Sequence, residues 1–90
     1  MLKLEYSTQF KKDFKKIAKL PLPDVIETGH VIKQLQLDND LPVKYVDHAL
    51  SGDWKGYRDC HIKPDLVLIY KVNDNALKLA RIGTHSELFK

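Results

Sequence analysis

The chain changes its hydrophobic rhythm twice, soon after its start and again just past its middle. Its opening "LKLEY" alternates apolar and polar residues, the period of a short β-strand. Ser7 or Thr8 then offers a hydroxyl to cap a helix in which Phe10, Phe14 and Ile17 recur at i, i+4 and i+7. "LPLP" interrupts that helix. Pro23 and Asp24 begin another, proline being tolerated in the first helical turn, and Val25, Ile32 and Leu35 give its buried stripe. Gly29 weakens this second helix by about 1 kcal/mol relative to alanine. The spacing predicts an αα-hairpin over 8–20 and 23–38.

"DNDLP" ends the helices and opens a loop through "VKYVDHALSG". From Trp54 onward the period is two. "YRDCHI", "LVLIYKV" and "ALKLARI" read as successive strands, joined by the turns "KPDL" and "NDNA". The predicted fold is α+β, in two layers and in the order β-α-α-β-β-β. An N-terminal strand and an αα-hairpin pack on one face of an antiparallel meander. Ninety residues support one such domain, 1–90, and no second core.

Two-residue loops at Pro64-Asp65 and Asp74-Asn75 would pair Lys63 with Leu66, His61 with Leu68, Tyr70 with Leu79 and Leu68 with Arg81. His61, Leu68 and Arg81 then share one row, with the outer two about 10 Å apart at ordinary strand spacing. A one-residue slip in either turn would invert a strand.

Composition narrows the classes. Lysine and arginine outnumber acidic residues by only 15 to 12, light for a nucleic-acid coat. The charge is unevenly placed: Lys11, Lys12, Lys15, Lys16 and Lys19 crowd one segment, while the only arginines, Arg58 and Arg81, lie in the C-terminal half. The longest apolar run, "LVLI", is too short to span a bilayer, and no secretory core is visible at the start. The single cysteine, Cys60, has no internal disulfide partner, which makes a reducing cytoplasm the default compartment.

His48, His61 and His85 sit at element ends, and Asp65 lies on a turn, as loops on a rigid scaffold would arrange a site. RNA cleavage needs these groups. A 2′-hydroxyl must lose a proton and a 5′-oxygen must gain one, and imidazole serves either end. Charge on the phosphorane oxygens suits the Arg81 guanidinium, and a base can stack on Phe89. Each has a plainer reading. The histidines can be structural, Arg81 can pair with Asp59, Asp65 or Glu87, and Phe89 can staple the tail to the core. A zinc site from His48, His61, Asp65 and His85 lacks a tight H-x₃-H ligand pair. Cys60 points away from His61 along the strand, against a Cys–His nucleophile.

The segments D-H-x-L-x-G at 47–52, W-K-x-x-R-D-x-H-I-x-P-D at 54–65 and R-x-G-T-H at 81–85 together resemble the YafQ group of the RelE/ParE toxin superfamily, the toxins of bacterial type II toxin–antitoxin pairs. The resemblance implies an mRNA endoribonuclease, an mRNA interferase cutting in the ribosomal A site by metal-independent acid–base catalysis, with no cofactor. It places His48, His61, Asp65, Arg81 and His85 at catalytic positions and Phe89, Lys55 and Arg58 at RNA-binding ones. Partners implied are the ribosome and mRNA, and a cognate antitoxin forming a heterotetramer that binds promoter DNA. A ribosome-independent nuclease and a ParE-like binder of DNA gyrase are the alternatives. Leu66 stands where some members carry tryptophan, which removes any stacking from that position.

Overall fold

The computed structural model describes residues 1–89. Its elements run β1 (Lys3–Tyr6), α1 (Thr8–Ile17), α2 (Leu22–Gln36), β2 (His48–Ala49), β3 (Arg58–Lys63), β4 (Leu66–Asn73), β5 (Ala76–Gly83) and α3 (His85–Leu88), with short 3₁₀ turns before and after β2. The helical pair and the three-strand meander match the sequence expectation. The expected first strand is also present as β1, and its parallel pairing with β5 is new. The two-residue β2 and the four-residue α3 are additions.

The sheet order is β1-β5-β4-β3-β2, antiparallel except for β1, which lies parallel to β5. Ser7 caps α1 by accepting a hydrogen bond from the Phe10 N–H at 2.9 Å. Phe10 and Ile17 bury the inner face of α1, and Thr28, Val31 and Leu35 that of α2. Val31 and Thr28 were not in the expected stripe. Thr28 fits a core because its hydroxyl donates to the Asp24 carbonyl at 2.8 Å.

β4 supplies both sides of the sheet. Leu66, Leu68 and Tyr70 join the core beneath α1 and α2. Val67 and Ile69 face the other way, against Leu88, Leu50, Trp54 and Tyr57. Leu66 is therefore helix-side core.

The expected row His61–Leu68–Arg81 does not form. Both turns hold, with Lys63 pairing with Leu66 and Tyr70 with Leu79, but an extra residue then intervenes in β3 and in β5. These bulges, at Ile62 and Ala80, pair His61 with Val67 and Arg81 with Ile69. Burial explains them. Leu79 and Ile82, three apart, would fall on opposite faces of a regular strand, yet both enter the helix-side core. The β3 bulge likewise moves His61 off the face that Leu68 occupies. The resulting rows are His61–Val67–Gly83 and His48–Asp59–Ile69–Arg81.

β1 covers β5 only from Ala76 to Leu79, and side chains of α1 and its cap take over the edge beyond. Ser7 Oγ donates to the Ala80 carbonyl at 2.8 Å, and Asp13 accepts from the Ile82 N–H at 3.2 Å. Asp13 also takes Arg81 Nε at 2.9 Å and Nη2 at 3.1 Å. Arg81 thus pairs with Asp13, not with Asp59, Asp65 or Glu87. Burial alone would raise the Asp13 carboxyl, but hydrogen bonds from Arg81, Gln9 and the Ile82 N–H outweigh it and hold the value below 3.8.

Asp13→Ala is expected to cost about 2–3 kcal/mol in urea unfolding, because it strands the guanidinium and the Ile82 N–H together. Since the folded-state value is depressed, Asp13 contributes stability above its ordinary value near 3.8 that is lost as the pH falls through the folded one. The variant should therefore show a weaker decline in stability between about pH 5 and pH 3 than the parent.

Candidate active site

The two bulges deliver three imidazoles to the face opposite the helical pair. His48 stands on edge strand β2, directly across from Asp59 of β3. His61 lies two residues beyond Asp59, on the same face by strand alternation. His85 begins α3, which folds back over the end of β5. The ring centroids of His48 and His61 are 6.2 Å apart, and those of His61 and His85 are 4.9 Å apart. Phe89 continues the line, 6.2 Å from His85 and 38% exposed. Leu88, not Phe89, is the residue that fastens this tail to the core.

Local structure fixes His85. Thr84 caps α3, and its reciprocal bonds with Glu87 form a capping box. Gly83 makes the fold-back possible, since an added Cβ would lie 2.8 Å from Glu87 Oε1, which that box immobilises. Asp65, on the β3–β4 turn, accepts from the His85 N–H at 2.9 Å and lies 2.8 Å from its Nδ1. Those contacts, the backbone bond first, lower the Asp65 carboxyl below its ordinary range. A carboxylate on Nδ1 leaves His85 Nε2 as the free nitrogen.

His48 is held comparably. Its Nδ1 lies 2.9 Å from the Val46 carbonyl and 3.1 Å from Asp59 Oδ1. Val46 has φ 50, a left-handed conformation that costs a β-branched residue roughly 1–2 kcal/mol. That backbone kink aims its carbonyl at the ring. Both outer imidazoles are therefore oriented through Nδ1, while His61 lies between them.

The cationic residues divide differently. Arg81 is held by Asp13 on α1, with no polar contact to the imidazoles among the described residues. Arg58 pairs with Tyr70 across the ladder and so sits on the helix-side face, where Asp47 accepts both its Nε at 3.2 Å and the Tyr70 hydroxyl at 2.7 Å. Lys55 is exposed just after a 3₁₀ turn and makes no ion pair among the described residues. The structure thus gathers His48, His61, Asp65, His85 and Phe89, and leaves Arg81, Arg58 and Lys55 outside that group. Sequence reasoning named Asp59 only as a partner for Arg81. Its period-two relation to His61 was the signal that marks it as part of this face. Cys60, one step out of phase, is fully buried on the other face, and burial pushes its thiol up, as expected for an inert residue. Among the described residues, no three His, Cys, Asp or Glu side chains are gathered to hold a metal ion.

A small mixed sheet with a helical pair on one face is shared with a class of bacterial toxins. Residues 2–90 match the family described as bacterial toxin of type II toxin–antitoxin system, YafQ. The mRNA interferase toxin YafQ of Escherichia coli K12 is 44% identical over 88 residues, spanning 96% of this chain and 94% of that protein. The fold of this chain is shared by the toxin in the E. coli DinJ–YafQ complex (TM-score 0.85, 40% identity, covering 100% of both chains). A copper-bound mutant toxin from Helicobacter pylori aligns with TM-score 0.86 at 44% identity, over 99% of this chain and 100% of that one. The chain belongs to the YafQ family of type II toxins.

Gly83→Ala should force Glu87 out of the capping box and loosen α3 by about 1 kcal/mol. The expected sign is loss of the nuclear Overhauser contacts between the His61 and His85 rings while the strand amides keep their positions.

Proposed function

We propose that this protein is an mRNA interferase, a toxin that cuts mRNA on the translating ribosome by acid–base catalysis. The observation that carries this reading is the imidazole run, with 6.2 Å and 4.9 Å between neighbouring rings and the outer two turned by acceptors at Nδ1. Two imidazoles at that spacing can flank one phosphodiester. One removes the proton from the 2′-hydroxyl as its oxygen attacks phosphorus. The bond to the 5′-oxygen breaks, and an imidazolium returns a proton to that leaving oxygen. Phe89, exposed at the end of the line, offers a ring on which a neighbouring base stacks.

Arg81 enters with a condition attached. Its Nε and Nη2 belong to Asp13, while Nη1 makes no hydrogen bond among the described residues. A phosphate would be met by that remaining edge, and Asp13 would hold the fork rigid while it is. Arg58 and Lys55 serve as peripheral phosphate contacts in this reading. The lysines of α1 supply a broader electropositive face for ribosomal RNA, with affinity that falls as salt rises.

An antitoxin partner completes the reading, by likeness to the E. coli toxin solved in complex with DinJ. An open apolar groove of about 360 Å³, lined by Leu4, Tyr6, Phe10, Phe14, Ile32 and Leu79 and rimmed by Lys11, supports it. Such a groove suits an acidic, amphipathic segment that orders as it binds. A toxin–antitoxin heterotetramer on promoter DNA is the assembly expected.

His85→Ala separates site from scaffold, because the side chain is half exposed and its loss opens no core cavity. Cleavage of mRNA on ribosomes should fall about 100-fold or more, growth arrest should be relieved, and the circular dichroism should be unchanged. Undiminished cleavage would remove His85 from the chemistry. Running the parent on naked RNA with and without ribosomes tests ribosome dependence directly. DNA-damage signalling on induction while mRNA stays intact would instead favour a gyrase-binding toxin.

A further inference from the structure

Behind the three imidazoles lies a carboxylate that the roles above leave unused. Asp59 is 3% exposed, buried near the start of β3 with its side chain on the His48–His61 face. Its Oδ1 comes within 3.1 Å of His48 Nδ1, but the N–H of that ring is aimed at the Val46 carbonyl. Asp59 Oδ1 consequently receives no hydrogen bond from the described residues. A buried, unsatisfied carboxylate oxygen is costly, and folds retain one where it performs a task. Burial pushes the Asp59 carboxyl up. His48, His61 and His85 together pull it back toward the ionised form, and Asp47 opposes them.

That arrangement is asymmetric in a useful way. His85 already has a solvent-exposed carboxylate, Asp65, at its Nδ1. His48 has a neutral carbonyl in the hydrogen-bonding position and a buried charge beside it. A small turn of the His48 ring transfers its Nδ1–H from Val46 to Asp59. Such a turn becomes favourable when the ring takes up a proton and turns cationic. The carboxylate would then gain the hydrogen bond it lacks at the moment the imidazole needs a counter-charge.

We propose that Asp59 is a positioning residue for the imidazole run, held buried beneath His48 to receive its Nδ1–H and offset the charge created when His48 accepts a proton. This rests on the nuclease reading for its catalytic consequence, but not for its geometry. A carboxylate serving only the fold would make the opposite prediction, because its removal would destabilise the protein.

Asp59→Asn keeps the shape and removes the charge. At pH 8 the thermal midpoint of the variant should equal that of the parent or exceed it by up to about 5 °C, as relief of a buried anion allows. The single-turnover rate of mRNA cleavage at saturating protein should fall by about two orders of magnitude, with the half-saturating protein concentration unchanged. The ring ¹⁵N resonances of His48 should move, while those of His30, exposed on α2, should not. A lowered midpoint or failure to fold would make Asp59 structural and overturn the proposal, as would an undiminished cleavage rate. If the parent cuts no RNA, the nuclease reading fails by itself and the His48 resonances decide. Unmoved, they refute the role given to Asp59; shifted, they uphold its geometric part.

Discussion

Five consecutive residues of β4, Leu66 to Tyr70, leave water completely or nearly so, and they point alternately to both faces of the sheet. A strand of that kind cannot lie on a surface. It demands cover above and below, and the two covers are unequal. One is the substantial layer of α1 and α2. The other is thin, made by Leu88, Leu50, Trp54 and Tyr57, and it leaves His48 and His85 exposed and His61 half-buried. Polar side chains occupy what remains, so the imidazoles lie over a rigid apolar floor. The site is where the second layer runs out.

Much of this was legible. Period and turn chemistry located both helices and all three meander strands, and the tight turns at Pro64-Asp65 and Asp74-Asn75 were placed correctly. Asp74 and Asn75 both take positive φ, the geometry of a two-residue hairpin. What failed was the register a few residues beyond each turn. Bulges carry no strong local signature, because they arise from which side chains must reach the core across the sheet. Leu79 and Ile82 held the clue, being apolar at an odd spacing. The first strand was recognised, but its parallel pairing was not, because the partner is some seventy residues away, a distance over which local pattern is silent. Helix α3 was readable in principle, since Thr84 and Glu87 stand at capping-box spacing.

Residue types located the candidate site better than geometry did. Histidines at element ends proved to be neighbours although the row expected to unite two of them with Arg81 does not exist. His61 and His85 meet because α3 returns over β5. Arg81 was read as a phosphate ligand, with Asp59, Asp65 or Glu87 as partners in the plainer reading. The partner is instead Asp13 on α1, from which the lysines of that helix had drawn attention away. Each arginine is met by a carboxylate, Asp13 or Asp47, so neither offers an unengaged fork. For any anion approaching this protein, the guanidinium directions are fixed beforehand. Arginine at such a position is not exchangeable for lysine, whose single ammonium could not hold Asp13 and keep a second edge available.

β2 is two residues long and forms the outer margin of the sheet. Strands so short fray at little cost, whereas β3, β4 and β5 open only with the whole domain. His48 therefore belongs to the part of the molecule that comes apart most readily. A brief local opening would withdraw one member of the imidazole line and leave the other two in place. On the nuclease reading proposed above, warming silences the protein well before it unfolds, and cooling restores it without any refolding step. On that same reading, the heat tolerance of its chemistry is set by two residues at a margin, not by the core beneath them.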